Sequence, residues 1–101
     1  MNGALLTHGD EVQRGFRVLG VVQGVGFRWW ARRTAEELAV GGTVRNCPDG
    51  SVEVRVRGSE AAVNAFAERL RAGPPVARIR SVEAFPCEED LPRSFEVVHW
   101  S

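Results

Sequence analysis

Two short stretches of the chain hold side chains able to do chemistry together. The first is Gln23-Gly24-Val25-Gly26-Phe27-Arg28, where a strand-like run gives way to a helix-like one. Gly24 and Gly26 allow backbone angles that other residues avoid, so successive N–H groups can converge on one point. A helix beginning there adds its unpaired N–H groups and the positive end of its dipole, which favour an anion. Arg28 adds a planar guanidinium that takes two phosphate oxygens at once. These parts describe a phosphate cradle. The second stretch is Asn46, ahead of Cys47-Pro48-Asp49-Gly50. Its amide accepts and donates at once and suits a water held in line with a bound phosphorus. Taken singly, each signal is weak. A bare G-x-G is more often a tight strand-to-helix turn, and an Asn before such a sequence more often caps the turn. The dinucleotide-binding fingerprint is excluded, because Trp29 stands where it requires glycine.

The elements that position these residues follow from periodicity. From Val12 to Val22, Val12, Phe16 and Val18 alternate with Gln13, Arg14 and Arg17, the pattern of a half-buried strand. From Arg28 to Ala39, Ala31, Thr34, Ala35 and Leu38 share one helical face with Phe27, which precedes the run, and Gly41-Gly42 is expected to end the helix. Thr43–Asn46 begins a second strand, "NCPDGS" is a turn, and Val52, Val54 and Val56 alternate with Glu53, Arg55 and Arg57 in a third. Ser59 is a candidate N-cap for a second helix carrying Val63, Phe66, Ala67 and Leu70, stopped by Gly73-Pro74-Pro75. Ala77–Phe85 and Ser94–Trp100 read as two further strands. The order βαββαβ with a short final strand predicts an α+β ferredoxin-like sandwich, with two helices on one face of an antiparallel or mixed sheet. Residues 1 to about 10 read as a disordered lead-in and 11–101 as one domain.

Composition removes several function classes. All thirteen basic residues are arginine, which excludes Schiff-base lysine chemistry and the P-loop. They balance thirteen acidic residues, so net charge gives no support for a general nucleic-acid or membrane-surface binder. Neither the two cysteines nor the two histidines have zinc-site spacing. There is no signal-peptide pattern and no apolar run of membrane-spanning length. We therefore expect a cytoplasmic protein with Cys47 and Cys87 as free thiols, a bridge between them being the less favoured option.

Taken together, "VQGVGFR" at 22–28 and "GGTVRNCPDGSVEV" at 41–54 resemble the acylphosphatase family, as do Gly20, "GPPVARI" at 73–79 and Phe95-Glu96-Val97. The resemblance covers about residues 12 to 100. It implies a small hydrolase that works without metal or cofactor and cleaves the carboxyl–phosphate anhydride of small-molecule acyl phosphates; separately, a monomer is expected. Backbone N–H groups from Gln23, Gly24, Val25, Gly26, Phe27 and Arg28 would bind the phosphoryl group. Arg28 would clamp its oxygens and Asn46 would orient the attacking water. With no general base visible near these motifs, the substrate phosphate is expected to take the water's proton. Thr43 stands where the family often has an aromatic residue, and Val21 where it often has a basic one. His99-Trp100-Ser101 replaces a basic–aromatic pair that buttresses the arginine in some members.

Outside the motifs, Trp30 is expected in the core and Trp29 half-exposed at the site mouth. Arg32 and Arg33 are expected to pair with Glu36 and Glu37 at i,i+4, and His99 to be structural rather than catalytic. Two other functions fit the same fold. One is a non-catalytic domain binding phosphate or carbamoyl phosphate, of the kind found in larger maturation enzymes. The end of this chain soon after the domain, without downstream zinc-finger cysteines, favours a stand-alone enzyme instead. The other is an RNA-binding module, which needs exposed aromatics on its central strands; the third strand offers Glu53, Arg55 and Arg57.

Overall fold

Val52, Val54 and Val56 are fully buried, and their two-residue alternation fixes one face of β3 (Val52–Ser59) against the core. In the computed structural model, which describes residues 11–99, β3 is the middle strand of a five-stranded sheet ordered β4-β1-β3-β2-β5. The other elements are β1 (Glu11–Val21), α1 (Phe27–Leu38), β2 (Gly41–Asn46), α2 (Glu60–Ala72), β4 (Arg78–Pro86) and β5 (Phe95–Val98). β1 runs antiparallel to β3 and β4, and β2 antiparallel to β3, whereas β5 lies parallel to β2. The two helices pack against each other and the sheet. This is the expected α+β ferredoxin-like sandwich with a mixed sheet. The expected lead-in at 1–10, and Trp100 and Ser101, lie outside the described residues.

The core sits between helices and sheet. Phe16 and Val18 from β1, Phe27, Ala31 and Ala35 from α1, and Val63, Phe66 and Leu70 from α2 are buried there. Burying a side chain of the Val, Leu or Phe class contributes about 1.5–3 kcal/mol. Phe66 also meets Phe95 of β5, ring centroids 6.0 Å apart, which ties the edge strand to the helix layer. Ser59 caps α2, its side chain accepting from the Ala62 N–H at 3.1 Å.

Three local expectations need correction. Gly41 and Gly42 do not end α1; Ala39 does, in a left-handed conformation with φ 60°, its N–H bonded to Ala35 and Glu36 carbonyls. The glycines are the first residues of β2, because a Cβ on Gly41 would lie 2.2 Å from the Arg93 carbonyl oxygen and one on Gly42 1.8 Å from that of Arg55. Arg14 sits in phase with Phe16 rather than opposite it, and its guanidinium reaches Asn64 of α2 at 3.0 Å. Arg32 pairs with Glu36 as expected, but Glu37 takes Arg69 of α2 at 2.8 Å instead of Arg33, an interhelical contact invisible to local spacing.

On the sheet face away from the helices, Gly15 stands opposite Phe85 of β4. A Cβ on Gly15 would come within 2.1 Å of the Phe85 ring, so the ring occupies the space a side chain would fill. The Arg55 guanidinium lies over that ring, 5.2 Å from its centroid, and bonds Glu53 at 3.0 Å. The 87–93 segment covers part of the same face. Gln13 donates to the carbonyls of Cys87 and Glu89, and Arg57 to that of Leu91 at 2.7 Å.

Candidate active site

The connection from β1 to α1 is shaped by its two glycines. Gly24 and Gly26 both adopt left-handed backbone, φ 76° and 77°, where a side chain costs roughly 1–2 kcal/mol. On either side the loop is pinned by burial: Val22 and Phe27 are each 1% exposed. Gly26 is the N-cap of α1 and offers no side-chain cap, so nothing from its own residue covers the helix end. The first intrahelical bond runs from the Trp30 N–H to the Gly26 carbonyl at 3.0 Å. Among the described residues, no turn or cap bond engages the N–H groups of Gly24, Val25, Gly26, Phe27, Arg28 or Trp29. Unpaired donors at a helix N-terminus are an anion site in waiting.

Asn46 reaches the same place from another element. It is the last residue of β2, paired with Val52 where the β2–β3 hairpin turns. The turn is held by Cys47 N–H to the Ser51 carbonyl at 2.8 Å and Gly50 N–H to the Cys47 carbonyl at 3.1 Å. Asp49 accepts from the Ser51 N–H at 3.0 Å and its hydroxyl at 2.6 Å, and also pairs with Arg17. The Ser51 side-chain and backbone bonds, and then Arg17, hold the Asp49 carboxyl below its ordinary value. The Asn46 Oδ1 is buried and has no hydrogen-bond partner. A buried, unsatisfied acceptor costs about 1–3 kcal/mol, and such groups persist where function uses them.

Gly24, Gly26, Phe27, Arg28 and Asn46 line one cleft of about 130 Å³, together with Val22 and Trp29. The structure thus brings together most of the residues expected at the site, from two elements eighteen positions apart in sequence. Val25 is not among the lining residues; it is partly buried against the core. Gln23 is not among them either, and its side chain has a different job. Its Nε2 donates to the Cys47 carbonyl at 2.7 Å and the Ser51 carbonyl at 2.8 Å, tying the glycine loop to the hairpin turn. Sequence reasoning missed this bond, since only the folded topology places residue 23 beside residues 47 and 51. It also left open the C-terminal support of the arginine. Arg28 Nη1 lies 3.3 Å from Nδ1 of His99, just beyond β5.

Trp29 is half-exposed at the cleft, 56% accessible, with the Arg32 guanidinium 5.9 Å from its ring centroid. Trp30 packs against the core, 5.3 Å from Phe27. A larger open groove of about 480 Å³ runs between Leu19–Val21, Asp49–Ser51 and Arg78–Arg80. It includes neither Arg28 nor Asn46. Cys47 and Cys87 are both free. No described helix is long and apolar enough to cross a membrane.

Known proteins share this architecture and sequence. A family model described as acylphosphatase matches residues 14–97. An acylphosphatase of Rhizobium etli is 46% identical over 91 residues, covering 89% of this chain and 95% of that protein. One from Archaeoglobus fulgidus is 44% identical over 82 residues, covering 81% and 92%. The solved structure of an acylphosphatase from Coxiella burnetii superposes with a TM-score of 0.85 at 33% identity, covering 91% of this chain and 97% of that one.

Proposed function

The chain belongs to the acylphosphatase family, and from that premise we propose how its cleft carries out the reaction. The protein is an enzyme that hydrolyses acyl phosphates to a carboxylate and inorganic phosphate. The phosphoryl group rests on the N–H groups of the 23–28 loop, with the Arg28 guanidinium on its oxygens. The Asn46 side chain orients a water opposite the acyl oxygen. That water attacks phosphorus in line, the new P–O bond forms as the acyl P–O bond breaks, and the carboxylate leaves with the bonding pair. The water's proton passes to a phosphoryl oxygen. Among the residues lining the cleft only Arg28 is ionisable, which supports the substrate's own phosphate as the acceptor.

The observation that carries this reading is that Asn46, whose Oδ1 has no hydrogen-bond partner, lines the same small cleft as the glycine loop and Arg28. A binding-only domain has use for the loop and the arginine but none for an incompletely bonded amide beside them. Catalysis here is positioning and charge stabilisation, because a carboxylate is already a good leaving group. We read the enzyme as a cytoplasmic monomer acting on a small-molecule substrate; its free thiols support a reducing compartment. The test is hydrolysis of benzoyl phosphate by the wild type, with and without chelator, and by Arg28→Ala and Asn46→Ala. Each variant is expected to lose about 10²–10³ in turnover. Folded variants that keep wild-type turnover would remove these residues from the mechanism. A folded wild type with no turnover would leave a phosphate-binding domain.

A further inference from the structure

Arg28 carries the charge at the phosphoryl site, and its one described side-chain hydrogen-bond contact is His99 Nδ1 at 3.3 Å. A guanidinium only donates, so Nδ1 must accept, and the ring proton must then sit on Nε2. The contact therefore exists only for the neutral imidazole. A protonated ring would present an N–H to a cation, replacing an attraction with a like-charge contact at the same distance. Histidine is also the side chain whose charge ordinarily changes between pH 5 and 8.

The fold makes this contact specific. Phe95, buried, and Val97, partly buried, point toward the helix layer and pack on the core, and His99 follows at the same two-residue interval. The parallel pairing of β5 with β2 puts this end of the strand beside Arg45, in register with Val98. By the same alternation Arg45, next to the buried Val44, and Glu96, next to the buried Phe95, lie on the other sheet face, which leaves Arg28 as the charged side chain in described contact with His99. Arg45 bonds Glu53 at 3.0 Å, and Glu96 accepts from the Ser94 hydroxyl at 3.3 Å. The interaction that changes sign on protonation is therefore the one with Arg28.

We propose that His99 is a positioning residue that holds Arg28 in its phosphate-binding pose only while neutral, so that acid uncouples the arginine from the site. His99 touches no reacting atom and takes no proton from the water. Its effect falls first on phosphoryl binding, hence on KM. This inference rests on the hydrolase reading only for its kinetic readout; inorganic phosphate binding tests it independently.

The experiment compares wild type with His99→Asn, whose Oδ1 branches from Cγ as Nδ1 does and accepts at every pH. Taking the ratio of the two proteins cancels the substrate's own ionisation. For benzoyl phosphate, wild-type kcat/KM is expected to fall by roughly tenfold relative to His99→Asn as pH is lowered from neutral over the range in which both proteins stay folded, mainly through KM. Inorganic phosphate affinity by calorimetry should show the same divergence, and His99→Leu should bind phosphate more weakly at every pH. A wild-type to Asn ratio that stays constant across the range would overturn the proposal, as would a His99→Leu protein that binds phosphate like wild type. If His99→Asn does not fold, His99→Gln carries the same comparison. Absence of turnover in wild type would refute the hydrolase reading alone, while the phosphate-binding ratio would still decide the role of His99.

Discussion

The side-chain amide of Gln23 donates to the Ser51 carbonyl at 2.8 Å, bridging the glycine loop and the turn that follows Asn46. The same nitrogen reaches the Cys47 carbonyl at 2.7 Å. One residue thus sets the distance between the two halves of the site. Replacing Gln23 with Leu removes this donor from two carbonyls that each keep a backbone N–H partner, at a cost of about 0.5–1.5 kcal/mol per lost bond. Turnover of benzoyl phosphate is expected to fall more than tenfold, with a lowered melting temperature, because loop and turn lose their common strut. A Gln23→Leu enzyme with normal kcat would show that the two halves are held by other means.

Asn46 is expected to separate stability from activity. Its Oδ1 is buried without a partner, so Asn46→Leu removes a poorly satisfied group while keeping side-chain volume. We expect unchanged or slightly raised thermal stability, by up to about 1 kcal/mol, with turnover abolished. A melting temperature well below wild type would mean that the amide is tied into the structure after all.

Glycines of similar backbone sign should respond very differently to alanine. At Gly24 no atom lies within 4 Å of an added Cβ, so the cost is the left-handed backbone alone, about 1–2 kcal/mol. Gly24→Ala should fold and bind inorganic phosphate more weakly. At Gly42 the new Cβ meets the Arg55 carbonyl oxygen at 1.8 Å, inside a paired strand that cannot give way. Gly42→Ala should not yield folded protein. Circular dichroism and calorimetry on the pair decide the matter, and equal stability of the two would contradict the geometry.

Acid should weaken the fold through Glu53. Burial pushes its carboxyl up, but hydrogen bonds from Arg45 and Arg55 outweigh this and hold it below its ordinary value of 4.5. A carboxyl lowered in the folded state contributes stability that is complete above that ordinary value and is lost as pH falls through the folded one. Urea melts of wild type should therefore lose stability below about pH 4.5, and Glu53→Gln should lose less over the same interval. Superimposable profiles would shift the effect to other carboxylates, Asp49 first among them.

The strands and helices were legible because each follows one period. Val52, Val54 and Val56 reveal β3, and Val63, Phe66 and Leu70 reveal the buried stripe of α2. That the glycine loop and Asn46 share one cleft was partly legible, because glycines at a strand–helix junction and an amide at a turn are local signals. What stayed hidden depends on contacts across the chain. Gly41 and Gly42 resemble a helix stop until the Arg93 and Arg55 carbonyls are placed against them. Gln23 reads as one more loop residue until topology sets it beside Ser51. Glu37 has a local partner in sequence and a different one, Arg69, in space.

Gly15 and Phe85 carry a last consequence, for how this sequence can change over time. The ring fills the space of the missing side chain, and the Arg55 guanidinium rests on it. A substitution at Gly15 alone must evict the ring and disturb Arg55 together with its bond to Glu53. A smaller residue at position 85 alone strips Arg55 of its platform and leaves the glycine with nothing to accommodate. The two positions are coupled: a side chain at 15 requires the Phe85 ring to swing aside or a shorter residue at 85, so the effect of either change depends on which residue the other position already holds.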